Sequence, residues 1–479
     1  MDNRLLTIEI DILILLLVAC FAAIALKRLQ FPYTIGLVIL GLMLGWLSLH
    51  VEAFAILQTL SLSHDLILFV FVPPLIFDSA LNLEGRLLFR NLSPILTLAA
   101  PGLLISTAII GGILSFTTPL TLSQSFLFGS LISATDPVAV IALFKELGAP
   151  KKLAILVEGE SLFNDATAIV VFNIILASSA TEIAFGTASI QQGIVQFLVS
   201  FIGGILFGGI IGYLARYLMS LVAENALVLF TVTAILAYSV FLLAEEVVHV
   251  SGVIALVSAG LVAGWYKSNR LGPEFQDSLG EFWEYSAFLA NSLIFLLVGL
   301  TISESPLFDQ VSQTVSLLAT LTITVVTVIL ARALVVFGLM PLLNLTGAAQ
   351  VERRYQLVSF WSGLRGAVCL ALALSLKADF PNRDLIVVLT LGVVLFTLLV
   401  PGTTVGWLIR LLNLDRPALI DQWRKTLAQV AAKRNVMEHI ELVKEFQPQF
   451  QTVVDRFQQR CQQEVTDAEQ ALIEFKEQI

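Results

Sequence analysis

Charged residues are scarce in this sequence, and their scarcity excludes most soluble proteins. Of the 479 residues, only 13% are Asp, Glu, Lys or Arg, whereas 57% are hydrophobic. A soluble globular domain carries roughly twice this charged fraction. The formal net charge of -9 gives no support for nucleic-acid binding.

Cysteine is almost absent as well. Cys20, Cys369 and Cys461 lie far apart, without a C-x-x-C spacing. This argues against a disulfide framework and against a cysteine metal site. The N-terminus lacks both a basic segment and an A-x-A cleavage site, so we expect the first apolar run to be retained as a membrane span. We expect no cofactor.

Long apolar runs are what the sequence does contain. They extend over about 17 to 29 residues, enough to cross roughly 30 Å of hydrocarbon. Merging the two runs beside Glu245 and Glu246 would give twelve spans, but we predict thirteen. The predicted spans are 10–26, 33–49, 65–81, 94–115, 122–145, 155–178, 191–219, 225–244, 249–266, 286–303, 313–341, 356–376 and 384–412.

Basic residues alternate between the loops. Six alternate loops hold Lys27, Arg28, Arg86, Arg90, Lys145, Lys151, Lys152, Arg216, Lys267, Arg270, Arg353 and Arg354, whereas the six intervening loops hold Lys377 and Arg383. Because cytoplasmic loops are enriched in Lys and Arg, the N-terminus is predicted outside and the C-terminus inside. The alternation also favours thirteen spans over twelve.

Composition changes after the last span. Residues 413–479 are mixed in charge, with apolar residues near helical spacing and Pro448 between two predicted helices. The sequence therefore predicts a transmembrane domain over 1–412 and a cytosolic helical tail over 413–479. The tail is either a solvated appendage or a regulatory element.

An ionisable residue inside a membrane span is costly and usually functional. The fifth span contains Thr135-Asp136-Pro137 near its middle. Proline removes a backbone donor and disfavours helix in the preceding residue. Asp136 is thus predicted to cap a second half-helix that begins at Pro137. A simple proline kink is the alternative.

The sixth span carries three acidic residues. It contains Glu158, Glu160, Ser161, Asn164 and Asp165. Ser161 and Asp165 are four residues apart and share a helix face. Asp165 lies about ten residues from the cytoplasmic end, near mid-membrane. A carboxylate beside a hydroxyl offers hard oxygen ligands for a small alkali cation, and a proton can neutralise the same carboxylate. The alternative is an aspartate that only hydrogen-bonds between helices.

Arg365 lies between Gly363 and Gly366 in the middle of the twelfth span. Because arginine stays protonated, it needs a carboxylate partner. Glu160 is the candidate, since otherwise both would be buried unpaired charges. Alternatively, Arg365 pairs with Asp165, which would leave Glu160 as the ion carboxylate.

Two further charged residues lie in spans. Asp78, near the cytoplasmic end of the third span, could be a cation ligand, a funnel carboxylate or an ordinary helix-end aspartate. Arg332 in the eleventh span is interpreted as a packing or snorkelling residue.

The two interrupted spans occupy matching positions in two sets of six. The fifth span of the first set and the fifth of the last set are separated by seven spans, which gives opposite insertion directions. This layout is typical of an inverted repeat with crossed discontinuous helices and an ion site where they meet. The predicted fold class is an all-α polytopic membrane protein.

Five strings in this order resemble the monovalent cation:proton antiporter-1 family of sodium/proton exchangers. The strings are V-P-P-L-I-F-D, S-A-T-D-P-V-A-V, G-E-S-L-F-N-D-A, H-V-S-G-V-I-A-L-V-S-A-G and S-G-L-R-G-A, and they extend over spans three to twelve. The resemblance implies a homodimeric, multi-pass antiporter of the inner (plasma) membrane, not an enzyme, whose core domain moves against a dimerisation domain.

The resemblance also implies roles for individual residues. Asp165 would bind Na⁺ or H⁺, Ser161 and Thr135 would be co-ligands, Asp78 could contribute, and Asn164 would position the site. The family pattern further implies the Glu160–Arg365 ion pair. Glu158 departs from the pattern, because relatives often have an uncharged residue there.

The expected mechanism is alternating access with competition between Na⁺ and H⁺ at Asp165. If Glu160 and Arg365 cancel, one-for-one electroneutral exchange follows, and the Asn164-Asp165 pair agrees with it. Li⁺ or K⁺ could replace Na⁺. The rival hypotheses are a passive cation channel and an intramembrane hydrolase with Asp136 and Asp165 as a dyad.

Overall fold

The computed structural model is helical throughout the part of the chain that it describes. The described residues are 2–29, 33–51, 67–180, 187–222, 225–303, 311–345, 347, 350–377, 379–415, 426–427, 430–437, 457–466 and 468. No β-strand occurs within these ranges, which confirms the predicted all-α class.

The described residues before 181 form nine α-helices. They are α1 (Asp2–Leu29), α2 (Tyr33–His50), α3 (Val72–Asn82), α4 (Gly85–Arg90), α5 (Leu92–Thr97), α6 (Leu103–Thr117), α7 (Leu122–Ser133), α8 (Val138–Leu147) and α9 (Lys151–Ala180). A π-helical turn over Ile67–Phe71 leads into α3, and another over Leu98–Gly102 contains Pro101 and joins α5 to α6.

Eight further helices follow up to residue 411. They are α10 (Thr187–Leu221), α11 (Ala226–Leu243), α12 (Gly252–Arg270), α13 (Pro273–Ser303), α14 (Val311–Leu345), α15 (Arg353–Trp361), α16 (Ala367–Leu374) and α17 (Arg383–Leu411). A π-helical turn over Ala244–Val248 extends α11, and Ser251 caps the start of α12.

Each predicted span falls mainly on helical residues where the structure describes it. Within the described residues, seven stretches are long and apolar enough to cross a membrane, and α1 to α3 contribute shorter apolar segments. The seven are Leu92–Thr117, Leu122–Phe144, Lys151–Ser178, Gly193–Leu221, Ala226–Val248, Ser316–Leu345 and Arg383–Leu411. The count of thirteen stays a prediction.

Small residues allow close helix packing within the larger compact unit, which comprises Met1–Ala142 and Lys152–Leu408. Where α2 crosses α13, a Cβ added to Gly299 would lie 2.8 Å from the Cα of Gly41. Two glycines therefore bring the two backbones together, as is common between membrane helices, where dispersion contacts drive association.

The smaller unit comprises Leu143–Lys151 and Ile409–Ile479. Its described parts include helical residues 430–437 and 457–466, which are joined by a 2.5 Å ion pair between Lys433 and Glu464. Pro448, predicted to separate two tail helices, lies outside the described residues.

Two helices are interrupted, and their breaks meet. The helical path stops between α7 and α8 at residues 134–137 and between α15 and α16 at 362–366. The backbone N–H of Asp136 donates to the carbonyl oxygen of Leu364 over 2.8 Å. A Cβ on Gly366 would overlap the Asp136 carboxylate, so only glycine permits this crossing. The predicted crossed discontinuous helices are confirmed.

Candidate ion-binding site

A cavity of about 470 Å³ lies beside the crossing. It brings together most of the polar residues that were predicted to bind the ion, and Glu158 lies on its wall. The predicted residues that line it are Asp78, Thr135, Asp136, Pro137, Ser161 and Asp165. Three other predicted residues do not line the cavity: Asn164, Glu160 and Arg365.

Asp165 projects from the middle of α9, a helix long enough to cross the membrane. Its Oδ1 is buried and accepts no hydrogen bond from the residues that the structure describes, and its carboxylate lies beside the backbone of Thr135. An unsatisfied buried carboxylate oxygen is expensive, because it has lost water without gaining a donor. A proton or a cation is what this oxygen would accept.

Ser161 lies one helical turn before Asp165 on the same face of α9. Its hydroxyl donates a hydrogen bond to the carbonyl oxygen of Thr135, one of the carbonyls that the break releases from helical bonding. The lone pairs of the Ser161 oxygen are not used by that bond. The wall therefore offers carboxylate, hydroxyl and backbone carbonyl oxygens, the donor set that suits a hard cation.

Asn164 ties α9 to the break from the side away from the cavity. Its Nδ2 donates to the carbonyl oxygen of Ser133 over 3.0 Å and to Thr135 Oγ1 over 3.2 Å. These two bonds hold Thr135 in place beside the Asp165 carboxylate. Asn164 thus has the geometry of a positioning residue, and its Oδ1, which is buried and has no hydrogen-bond partner among the described residues, remains an available acceptor.

The predicted Glu160–Arg365 ion pair is wrong. Arg365 is only 2% exposed, and its Nη1 donates to the carbonyl oxygens of Ser133 and Ala134 over 2.8 and 2.9 Å. Within the described residues it forms no ion pair, either with Glu160 or with Asp165. Because α7 ends at Ser133, Arg365 stabilises the negative end of this half-helix and satisfies its last carbonyls.

Glu160 pairs with Arg332 of α14. Both guanidinium Nη atoms bond the carboxylate, with 3.0 Å between Nη2 and Oε2, and Nη2 also donates to the carbonyl oxygen of Ser359 over 2.8 Å. The interpretation of Arg332 as a packing or snorkelling residue is therefore wrong. One signal was available, because Arg332 lies at least nine residues from either end of its predicted span, too deep to reach water.

Asp136 lies where the two second half-helices begin. Its Oδ1 accepts from the backbone N–H of Val138 over 3.0 Å, and the backbone of Ala367 lies beside the same carboxylate. One negative charge therefore faces the positive N-terminal ends of α8 and α16. Pro137 begins the helical hydrogen bonding of α8, since its carbonyl accepts from Ile141 over 2.7 Å.

Asp78 is part of a polar chain that the sequence did not reveal. Asn82 Nδ2 donates to Asp78 Oδ1 over 2.7 Å, and Lys267 Nζ donates to Asn82 Oδ1 over 2.6 Å. Asn82 is one turn after Asp78 in α3, a spacing that could have suggested the first bond. The partner on α12 carried no signal in the sequence.

Known sodium/hydrogen exchangers resemble this chain in sequence. The model of the family described as "Sodium/hydrogen exchanger, transmembrane" matches residues 12–411. The Na⁺/H⁺ antiporter ApNhaP of Aphanothece halophytica is 38% identical over 417 residues, which cover 86% of this chain and 75% of the relative. The Na⁺/H⁺ antiporter NhaH of Halobacillus dabanensis is 34% identical over 408 residues, 85% of this chain and 98% of the relative.

A solved structure shares the fold. The sodium proton antiporter MjNhaP1 of Methanocaldococcus jannaschii superposes with a TM-score of 0.68 at 20% identity, over 85% of this chain and 98% of that chain. At this identity the likeness concerns the fold alone. The family match extends over most of the sequence, including both broken helices and the cavity. The chain therefore belongs to the transmembrane sodium/hydrogen exchanger family.

Proposed function

We propose that this protein is a secondary antiporter that exchanges one Na⁺ for one H⁺ at Asp165. The observation that carries the proposal is the buried Asp165 oxygen, which no described residue hydrogen-bonds, on the wall of a cavity that also presents hydroxyl and carbonyl oxygens. The negative charge of this oxygen is not balanced by a hydrogen-bond donor from the described part of the chain. A proton or a sodium ion can bind the oxygen, but the two cannot bind it at the same time. Competition for one carboxylate couples the two fluxes.

The charges around the cavity support a one-for-one exchange. Glu160 and Arg332 cancel as a buried ion pair. Asp136 and Arg365 have opposite charges and are each committed to helix ends at the crossing. Asp78, also on the cavity wall, is offset by Lys267, which interacts with it electrostatically. Asp165 is then the charge at the crossing without an opposite partner among the described residues, and one Na⁺ or one H⁺ neutralises it. The neutral, occupied site crosses the low-dielectric barrier at lower cost than the charged, empty one.

Sodium would be held by oxygen ligands. We assign them to the Asp165 carboxylate, the Ser161 hydroxyl and the backbone or hydroxyl oxygen of Thr135, with Asp78 contributing from α3. On cation binding, the Ser161 oxygen turns its lone pairs to the ion. Asn164 keeps Thr135 in position throughout. We expect Na⁺ as the substrate, with Li⁺ and K⁺ as the alternatives to be compared.

The cellular setting follows from the same family. We propose a homodimer in the plasma membrane with its N-terminus outside, its C-terminus in the cytoplasm, a transmembrane domain over 1–412 and a helical tail over 413–479. Its role would be pH and sodium homeostasis. Alternating access would move the crossed helices with Asp165 between the two sides.

Dequenching of a pH-sensitive dye in everted membrane vesicles tests the proposal. Addition of Na⁺ should release the accumulated protons from vesicles with the wild type and with Asp384→Asn, a half-exposed carboxylate that pairs with Arg383. Asp165→Asn should abolish the response at equal protein abundance. Retained exchange in Asp165→Asn would overturn the proposal.

The same assay separates the antiporter from a channel. A passive channel would conduct Na⁺ without moving protons, so no dequenching would follow in vesicles whose membrane potential is clamped. Li⁺ and K⁺ are added in parallel to rank the cations.

A further inference from the structure

The polar chain of Asp78, Asn82 and Lys267 connects the cavity to a helix that does not line it. Asp78 is on the cavity wall, whereas Asn82 and Lys267 are not among its lining residues. The chain runs from a carboxylate through an amide to an ammonium group, with bonds of 2.7 and 2.6 Å. Each atom of the amide is used in its proper sense, because Nδ2 donates to the carboxylate and Oδ1 accepts from the ammonium.

The surrounding helices are built to bring these groups together. Where α12 packs on α3, a Cβ on Gly264 would lie 2.5 Å from the carbonyl oxygen of Leu81. This close packing places Lys267, in the last turn of α12, beside Asn82 at the end of α3. On α13, a Cβ on Gly280 would lie 3.0 Å from Lys267 Nζ. The space left by that glycine is therefore occupied by the ammonium group.

The charges that face Lys267 are acidic. Asp78 of α3 and Asp277 of α13 both act on it electrostatically. The ammonium group is fixed by Asn82 and stays off the cavity wall. It therefore acts on Asp78 both directly, by charge, and through the Asn82 amide, which it polarises and orients.

We propose that Asn82, held by Lys267, is a positioning residue that orients the Asp78 carboxylate toward a sodium ion in the cavity. The inference rests on the proposed function and deepens it, since it names the residues that orient Asp78, the second carboxylate of that site. Groups that orient a metal ligand affect cation affinity without touching the cation, typically by about 10- to 100-fold. The effect belongs in the KM for sodium and not in kcat.

Asn82→Leu removes both bonds of the amide at nearly constant volume. In everted vesicles, we expect the KM for Na⁺ to rise about tenfold with kcat within about twofold of the wild type. Asn269→Leu is the matched control. Asn269, in the last turn of α12, carries the same amide near a helix end, but among the described residues this amide bonds its own helix, at Trp265 O over 2.7 Å. Its KM should equal that of the wild type.

A double-mutant cycle separates positioning from a structural role. Asp78→Asn should raise the KM by a similar factor, and adding Asn82→Leu should raise it no further, because the residue being oriented is gone. Lys267→Arg, which keeps a charged donor for Asn82, should stay within about threefold of the wild-type KM. The inference would be overturned if the KM increases of Asp78→Asn and Asn82→Leu multiplied in the double variant. It would also be overturned if Asn82→Leu lowered kcat at an unchanged KM.

The outcome can be separated from that of the proposed function. If Asp165→Asn abolishes exchange while Asn82→Leu has the KM and kcat of the wild type, Asn82 is not a positioning residue, and the proposed antiport function is unaffected. If Asp165→Asn retains exchange, the proposed function itself fails.

Discussion

At the residue scale, the site depends on which buried charges are compensated. Asp165 and Asp136 could be selected from the sequence, because each interrupts an apolar run at mid-depth. The partner of Glu160 could not. Arg332 is 172 residues away in sequence, and two arginines at similar depth compete for one carboxylate. Only the three-dimensional arrangement shows that Arg365 bonds the carbonyls released by the helix break.

The Glu160–Arg332 pair predicts a specific pattern of stability. Glu160→Gln and Arg332→Met each remove one partner of the pair and leave the other as a buried unpaired charge. Each substitution should lower the free energy of unfolding by about 3–5 kcal/mol. The double variant should recover most of this loss. Thermal unfolding of the detergent-solubilised protein measures it. Recovery by the combination of Glu160→Gln with Arg365→Met instead would contradict the assignment.

Ser161→Ala should weaken sodium binding while leaving the fold intact. The substitution removes one oxygen ligand and one hydrogen bond to Thr135, and we expect the KM for Na⁺ to rise about tenfold, equivalent to about 1.4 kcal/mol. Ser178→Ala on the same helix is the control, since this exposed hydroxyl bonds Ile174 O. Sodium-dependent dye dequenching gives both KM values, and an unchanged KM in Ser161→Ala would remove it from the ligand set.

At the element scale, side chains at the crossing bond several of the backbone groups that the two helix breaks release. The carbonyls at the end of α7 accept from Arg365 and Asn164, and the N-terminal ends of α8 and α16 face Asp136. The break at Pro137 was predictable from local chemistry. That this break meets the second one was predictable from the order of the spans. Which residues meet there was not predictable, because it depends on how the whole bundle packs.

Gly366→Ala tests the crossing directly. The new Cβ would overlap the Asp136 carboxylate, so one of the two half-helices must shift, at a cost of about 1–3 kcal/mol. We expect exchange to be lost and the melting temperature to fall. Gly338→Ala in α14 is the control, because its Cβ would meet nothing within 4 Å. Normal exchange by Gly366→Ala would show that the crossing tolerates expansion.

The described tail helices predict a pH profile. Hydrogen bonding to Lys433 lowers the pKa of Glu464 below its ordinary value of 4.5. Because the pKa is depressed, this ion pair contributes to folded-state stability fully above pH 4.5. That contribution is lost only as the pH falls through the lower pKa of the folded state. Glu464→Gln should therefore leave the pH profile of exchange between pH 6 and 9 unchanged in shape. A shifted profile would implicate this pair in pH sensing.

At the scale of the whole molecule, one-for-one exchange should be independent of voltage. The charges at the crossing cancel apart from Asp165, so each half-cycle moves a neutral site. In proteoliposomes, a potential imposed with potassium and valinomycin should leave the initial rate of sodium uptake unchanged. Acceleration by an inside-negative potential would indicate that more than one charge is carried per cycle.

The central claim is that Na⁺ displaces one proton from Asp165. Isothermal titration of the purified protein with NaCl, in two buffers of different ionisation enthalpy and at a pH low enough to protonate the site, counts the protons released per sodium bound. We predict one proton per sodium for the wild type and none for Asp165→Asn. Binding without proton release, release of two protons, or unaltered release from Asp165→Asn would contradict the account.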